Sequence, residues 1–412
     1  MAKSRSPLVI IFITIFIDLV GFGIVIPVLP LYAARFGASP TVIGLLLSVY
    51  SVMQFIFAPV LGRLSDRVGR RPVLLVSMIG TSFGFMLMGL AGSLELLFLA
   101  RIIDGITGAN ISTAQAYIAD VTPPEQRSRG MGLIGAAFGL GFIVGPAIGG
   151  VMSQVSLAAP FYFAAGLAAA NAVALSFLLP ESLSAEHRIE ARRRATILQV
   201  FRESGSWQLA ALMATYFFAT VSFALLTAIY ALFTRRRFGY DATHNGYIFA
   251  FLGLLGAIIQ GGLLGRLLSL FSDKTLAVAG TLVMTASMFA LPESRTVWML
   301  LAASTGIAIG NSLVTPTLNG LASRTVSAAW QGRMLGVLQS VASLARIIGP
   351  VLGGVLLDRD LGSNLERYGR SPLWTGGAIM LLAAGLALTV TSPATEVIEQ
   401  TPPLEPQRRE EV

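Results

Sequence analysis

The sequence predicts an all-α membrane protein of twelve transmembrane helices in two pseudo-symmetric six-helix bundles, and three observations carry that prediction. At 54% hydrophobic and 12% charged over 412 residues, with mean hydropathy +0.74, the chain holds more apolar surface than a water-soluble core could hide. Twelve apolar runs are each long enough to cross a bilayer, which takes roughly 20 residues per helix. A long stretch of the first half also recurs in the second. A soluble enzyme is thereby excluded. Zero Cys removes disulfides and thiolate metal sites, and the two His, His187 and His244, fall in predicted loops, so no metal and no cofactor is expected. The net charge of +8 does not point to nucleic acid, because the basic residues sit in short connectors between apolar runs rather than on a solvated basic face.

The first run, Pro7 to Tyr32, follows the basic segment MAKSRS and is too long for a signal h-region, so it reads as a retained first helix. Further runs fall at 42–62, 73–92, 94–119, 129–152, 159–179, 206–234, 243–265, 275–291, 297–322, 333–357 and 373–391. They are hydrophobic all round and rich in Gly and Ala, which suits helices packed through small residues and not the alternating strands of a barrel. The only long polar stretch between runs divides six from six. The expected units are a bundle at 1–180, a cytoplasmic linker at 181–205, a bundle at 206–392 and a disordered cytoplasmic tail at 393–412. The segment Arg127 to Val151 aligns with Trp330 to Leu356: Arg129, Gly132, Pro146, Gly149 and Gly150 match Arg333, Gly336, Pro350, Gly353 and Gly354 at an offset of 204. Duplicated halves place a binding site at their interface near mid-membrane, where rocking exposes it to each side in turn.

Lys and Arg in the connectors set the orientation. With the N-terminus inside, the cytoplasmic segments carry 19 of the 29 basic residues and the outer ones 8, while Arg101 and Arg346 lie inside spans. The bias is strong in the first half and weak in the second, where Arg235 to Arg237 is a local violation. Both termini are expected in the cytoplasm.

Function is sought in the charges inside spans, because an ionised group at bilayer depth costs about 2.5–3.5 kcal/mol and is retained mainly where it faces a cavity or partner. Asp18 stands about eleven residues into the first helix, roughly 16 Å deep, where a carboxylate can load and release a proton. On the fourth run Arg101, Asp104, Gly108, Ser112 and Gln115 share one helical face, and Arg101 and Asp104 are spaced to pair. A static ion pair that only locks the bundle is the plainer reading. The eleventh run offers Gln339, Ser343 and Arg346, with Asp18, Asp104 or an anionic substrate as partner for Arg346. Asn311 and Thr315 lie near one line of the tenth, and Gln54 and Gln260 are single amides in the second and eighth. Phe22, Phe142 and Phe251 are candidate aromatic lining.

The connector after the second run reads GRLSDRVGRRPVL, Gly62 to Leu74, and matches the signature G-x-L-[ARS]-D-R-x-G-R-[RK] of the major facilitator superfamily. The chain resembles that family again in LARIIDGITGAN, Leu99 to Asn110, in GLGFIVGPAIGG, Gly139 to Gly150, which is similar to the antiporter signature of drug/proton exchangers, and in DLVGFGIVIPVLP, Asp18 to Pro30. Within the family the pattern is similar to the tetracycline/proton antiporters. It departs from them in carrying Phe83 and Gly84 in place of a third-span acid, no acid in the ninth span and Gly256 but no His in the eighth; the departures bear on tetracycline as substrate. The resemblance implies the major facilitator fold. It further implies that Asp66, Arg70 and Asp120, within the motif of Gly62, Asp66, Arg67, Gly69, Arg70 and Arg71, brace a closed inner gate. Gly145, Pro146 and Gly149, with Gly349 and Pro350, are expected to break or thin the fifth and eleventh helices while packing closely.

The expected function is a proton-coupled antiporter, monomeric and in a bacterial inner membrane, with a small amphipathic drug-like substrate, protons and lipid as its partners. Arg346 keeps open a proton-linked carrier for a sugar or organic anion. A membrane-embedded enzyme would place His, Cys or clustered acids at one face, a pattern absent from this sequence.

Overall fold

The computed structural model describes residues 7–108, 110–122, 127–183, 207–325 and 331–390. Lys3, Arg5, His187, most of the expected linker and the tail from 393 lie outside the described residues. The helices are α1 (Pro7–Arg35), α2 (Pro40–Val68), α3 (Arg70–Gly89), α4 (Leu94–Thr107), α5 (Asn110–Val121), α6 (Arg127–Met152) and α7 (Ala159–Leu178) in the first half. The second half has α8 (Trp207–Phe238), α9 (Ala242–Ile258), a π turn (Ile259–Leu263), α10 (Leu264–Leu270), α11 (Asp273–Ala290), α12 (Val297–Arg324), α13 (Gln331–Arg359) and α14 (Arg370–Thr389). Eleven helical stretches among the described residues are long and apolar enough to cross a membrane. The remaining crossing is shared by α4 and α5, giving the all-α twelve-crossing architecture that the apolar runs predict.

Side-chain caps start the helices. Ser39, Ser93, Asp241, Ser272 and Thr296 each accept a hydrogen bond from a first-turn N–H of α2, α4, α9, α11 and α12. His244, expected in a loop, lies in the first turn of α9, where Asp241 accepts its N–H at 3.0 Å.

Three expectations need correction. The fourth run is split, because Gly108 lies against Tyr50 and its carbonyl accepts from Gln54 Nε2 at 3.0 Å, a side-chain partner at the point where α4 ends. The eighth crossing is interrupted by the π turn that holds Gln260. Helices α6 and α13 run unbroken through Pro146 and Pro350; the bond each proline forfeits is offset by tight packing on both sides of the helix.

That packing repeats in the two halves. Gly145 lies against Val20 and Gly23 of α1, and Gly349 against Val221 and Ala224 of α8; Gly149 packs on Ile24. One position round the helix, α6 and α13 each cross to the other half. Gly150 meets Gly246 of α9, and Gly354 meets Pro40 of α2, while Gly44 of α2 meets Pro350 and Gly253 of α9 meets Phe142. These glycines let backbones touch with no side chain between.

All of these crossings lie at one end of the bundle. Along α6, residues Gly132, Gly135, Gly139, Phe142, Pro146 and Gly150 share one face. The last three touch α9, whereas a Cβ added at Gly132, Gly135 or Gly139 meets nothing within 4 Å. The same holds at Gly62 of α2, at Gly261 and Gly262 in the π turn, at Gly265 of α10 and at Gly336 of α13. Among the described residues the halves are therefore packed at the end where α2 and α9 begin and separated at the end that carries the Gly62–Leu74 connector.

The asymmetry predicts opposite outcomes for one substitution. Gly246→Ala would place a methyl 2.6 Å from Gly150 Cα and Pro146 O and should lower the thermal unfolding midpoint in detergent, overpacking costing about 1–3 kcal/mol. Gly139→Ala, in open space, should leave the midpoint unchanged or raise it.

Candidate functional site

The site is built from α4 outward. Three residues apart on one face, Arg101 Nη1 and Asp104 Oδ2 pair at 2.7 Å, and the two side chains are only 2% and 5% exposed. Asp104 fits because its neighbour on α3 is Gly84, where a Cβ would stand 2.9 Å from Asp104 Cβ. The third-span position that carries no acid is thus the surface on which the fourth-span acid rests. Arg101 lays its guanidinium over the Tyr50 ring at 4.2 Å, and its buried Nε has no hydrogen-bond partner. Desolvated cation–π contact is worth about 2 kcal/mol, so the ring does much of what a second carboxylate would do.

Tyr50 is the hub that sequence reasoning missed. Its hydroxyl accepts from Gln54 Nε2 at 3.3 Å, and its ring lies 6.2 Å from Phe22, which lies 6.0 Å from Phe142. Asp18 of α1, Asp104 and Arg101 act on it electrostatically from the first half and Arg346 from the second. Arg346, half-buried in α13, donates to Ser343 Oγ at 3.2 Å and lies within electrostatic range of Tyr216 on α8 as well as Tyr50. Asp104, one expected partner for Arg346, is bound by Arg101. A sequence signal for Tyr50 existed, since it precedes Gln54 by one helical turn on the same face.

The structure therefore gathers Asp18, Gln54, Arg101, Asp104 and Arg346 around one tyrosine from both halves. Other expected residues stand apart from that hub. Gln115, Asn311 and Thr315 are half-buried. Gln339 is half-buried below Ser343, whose hydroxyl donates to its carbonyl at 3.0 Å. Ser112 is exposed, as are Gln260 in the π turn and Phe251.

The connector motif forms a second cluster. Gly69, at φ 115°, turns the chain so that Arg70 points back under α2. Arg70 bonds Asp66 at 2.5 Å, Ser65 Oγ at 2.7 Å and Asp120 of α5 at 3.1 Å. Glu181, which sequence reasoning did not single out, accepts from the N–H groups of Arg70 at 2.9 Å and Arg71 at 3.2 Å, capping the start of α3. Arg71 bonds the carbonyl of Ser176, while Arg67 is exposed. These partners all belong to the first half. The contacts knit the ends of α2, α3 and α5 together within one half. In the second half the matching helix ends are joined by Asp273 and Arg324, the charges exchanged.

Comparison with known proteins agrees with this architecture. The family model of the Major Facilitator Superfamily matches residues 11–350 and 261–410. The class C tetracycline resistance protein of Escherichia coli is 37% identical over 85% of this chain and 89% of its own length. The class D protein of Salmonella ordonez is 33% identical over 95% and 98%. Multidrug resistance protein 1 of Bacillus subtilis (strain 168) is 29% identical over 95% and 97%. Among solved structures, a bacterial homologue of the human lysosomal transporter Spinster superposes with TM-score 0.80 at 16% identity, covering 95% of this chain and 97% of that one; it attests the fold alone. Twelve crossings in two halves, the connector motif and relatives matched along nearly their whole length agree: the chain is an integral multi-pass membrane protein and belongs to the Major Facilitator Superfamily.

Proposed function

We propose that this protein is a proton-coupled antiporter that exports small amphipathic drug-like compounds by alternating access, as its relatives' names, tetracycline resistance and multidrug resistance, suggest. The observation that carries the reading is the buried Arg101–Asp104 pair, its guanidinium stacked on Tyr50, with Arg346 of the other half within electrostatic range of the same tyrosine. Such a group is sensitive to one added proton: neutralising Asp18 or Asp104 leaves a surplus of positive charge between the halves, which changes the relative energies of the two access states. The aromatic patch of Phe22, Tyr50 and Phe142 suits an amphipathic ligand, and Gln115, Asn311, Thr315 and Gln339 offer it hydrogen bonds.

The excess of Lys and Arg in the connectors supports a cytoplasmic position for the separated end of the bundle and both termini, and the bacterial relatives support an inner membrane. The described state is then open inward, ready for a cytoplasmic substrate. The protein acts in this reading as a monomer, without covalent chemistry, cofactor, metal or nucleic acid. A proton-linked carrier of an organic anion is the second reading, favoured by Arg346, whose recorded side-chain bond is to the neutral Ser343.

A panel of cationic dyes, tetracycline and organic anions, tested for ΔpH-driven uptake into inverted vesicles, decides between them. Export of drugs predicts uptake of amphipathic compounds that collapses with the gradient; uptake of anions alone, lost in Arg346→Ala, would favour the second. Asp18→Asn should reduce ΔpH-driven accumulation at least about tenfold, the equivalent of about 1.4 kcal/mol of coupling, while downhill exchange persists; unchanged accumulation would remove Asp18 from the coupling. Tyr50→Phe should retain transport and stability, and Tyr50→Leu should lower both by removing a cation–π contact of about 2 kcal/mol, read by flux and by thermal unfolding.

A further inference from the structure

At the packed end of the bundle the start of α2 is held by an acid that belongs to the other half. Asp358, in the last turn of α13, accepts through Oδ2 from the N–H of Thr41 at 3.0 Å and from Ser39 Oγ at 3.2 Å, and the Thr41 hydroxyl donates to the same oxygen. A helix start leaves N–H groups unsatisfied and carries partial positive charge, so a carboxylate there is doubly favoured. The second oxygen of Asp358 is buried without a hydrogen-bond partner, so the whole attachment runs through Oδ2. Around it the seam is backbone on backbone, Gly354 against Pro40 and Gly44 against Pro350, and Ser48 Oγ donates to Ile347 O at 2.7 Å.

The duplication supplies an internal control. At the matching seam between α6 and α9, Thr243 Oγ1 donates to Gly150 O at 3.1 Å and lies 3.3 Å from Ser153 Oγ. The residue that corresponds to Asp358 at the offset of 204 is the neutral Gln154. Helix α9 has its own acid as cap, Asp241, which accepts from His244 N–H. Packing the halves at this end therefore needs no charge across the gap. Among the described residues, only at the α2–α13 seam does the capping carboxylate come from the opposite half, where it must be given up whenever the two helix ends part.

The geometry points to Asp358 as the latch of this end: a positioning residue that touches no substrate and sets the ratio of the two access states through its bonds to Ser39 and Thr41. The inference rests on the alternating-access reading above. Hydrogen bonds to a charged group are the stronger class of such contacts, so their loss should move that ratio about tenfold.

The chain contains no Cys, so single cysteines report each end of the full-length protein in proteoliposomes. Ser48→Cys sits in the packed seam, and Gly139→Cys sits in the open stretch of α6. With a membrane-impermeant maleimide, Asp358→Asn and Asp358→Ala should speed labelling of Ser48→Cys about tenfold and slow that of Gly139→Cys, and Asp358→Glu should restore both rates. Thr41→Val should act in the same direction to a smaller extent. Rates that stay unchanged, or that rise at both positions as a loosened fold would give, overturn the latch. ΔpH-driven flux by the parent protein separates the two levels: flux with unmoved labelling rejects the latch and leaves the antiporter reading standing, whereas absence of flux for every compound of the panel rejects that reading and the latch with it.

Discussion

A guanidinium kept charged at bilayer depth dictates most of what surrounds it. Arg101 is almost wholly enclosed, and an unpaired charge there would cost several kcal/mol. One carboxylate, Asp104, and one aromatic face, Tyr50, are what it has. Each of these makes a further demand. Asp104 needs a bare surface on α3, which Gly84 supplies, and Tyr50 needs its hydroxyl engaged, which Gln54 does while also holding the carbonyl that ends α4. The broken fourth crossing, the small residue on the third and the amide on the second are consequences of a single buried cation.

The second organising feature is the duplicated seam. Helices α6 and α13 each pack one glycine face on their own half and an adjacent face on the other, so each half is tied to its partner twice by the same device. Because backbone contacts of this kind need close approach, they hold fully or not at all, and a bundle joined at one end and parted at the other behaves as two discrete arrangements rather than a continuum. The connector cluster of Asp66, Arg70, Asp120 and Glu181 ties α2, α3 and α5 of the first half to one another.

Span number, fold class, duplication and the intramembrane charges were legible in the sequence, because bilayer length and the cost of buried charge leave few alternatives. Helix ends were less so. Helix α2 continues to Val68 through Arg63 and Arg67, since nothing polar stops a helix once it has left the apolar layer. Helix α8 runs to Phe238 through the arginine run that violates the charge bias. There Arg236 donates to the carbonyl of Leu361 at 2.8 Å and covers the Tyr368 ring, and Arg237 bonds the carbonyl of Leu365. Those charges tie the loop at Leu361–Leu365 to a helix end, a role that counting Lys and Arg cannot reveal. Tyr50, Glu181 and Asp358 escaped for a related reason: each acts through a partner distant in sequence. The repeat of Arg35-Phe36-Gly37 as Arg237-Phe238-Gly239, both glycines at positive φ, marks the matching starts of α2 and α9 and was available as a pointer to the two seams.

The central claim is that one protonation-sensitive hub exchanges two arrangements in which the ends of the bundle open alternately. Distance measurements between paired spin labels test it most directly, one pair at Gly135 and Gly265 across the separated end and another at Arg35 and Arg359 across the packed end. The account predicts two populations at each end, the shorter distance at the first appearing together with the longer at the second, in a fraction that shifts with pH and is abolished by neutralising Asp18. A single distance at each end, indifferent to pH and substrate, would contradict it.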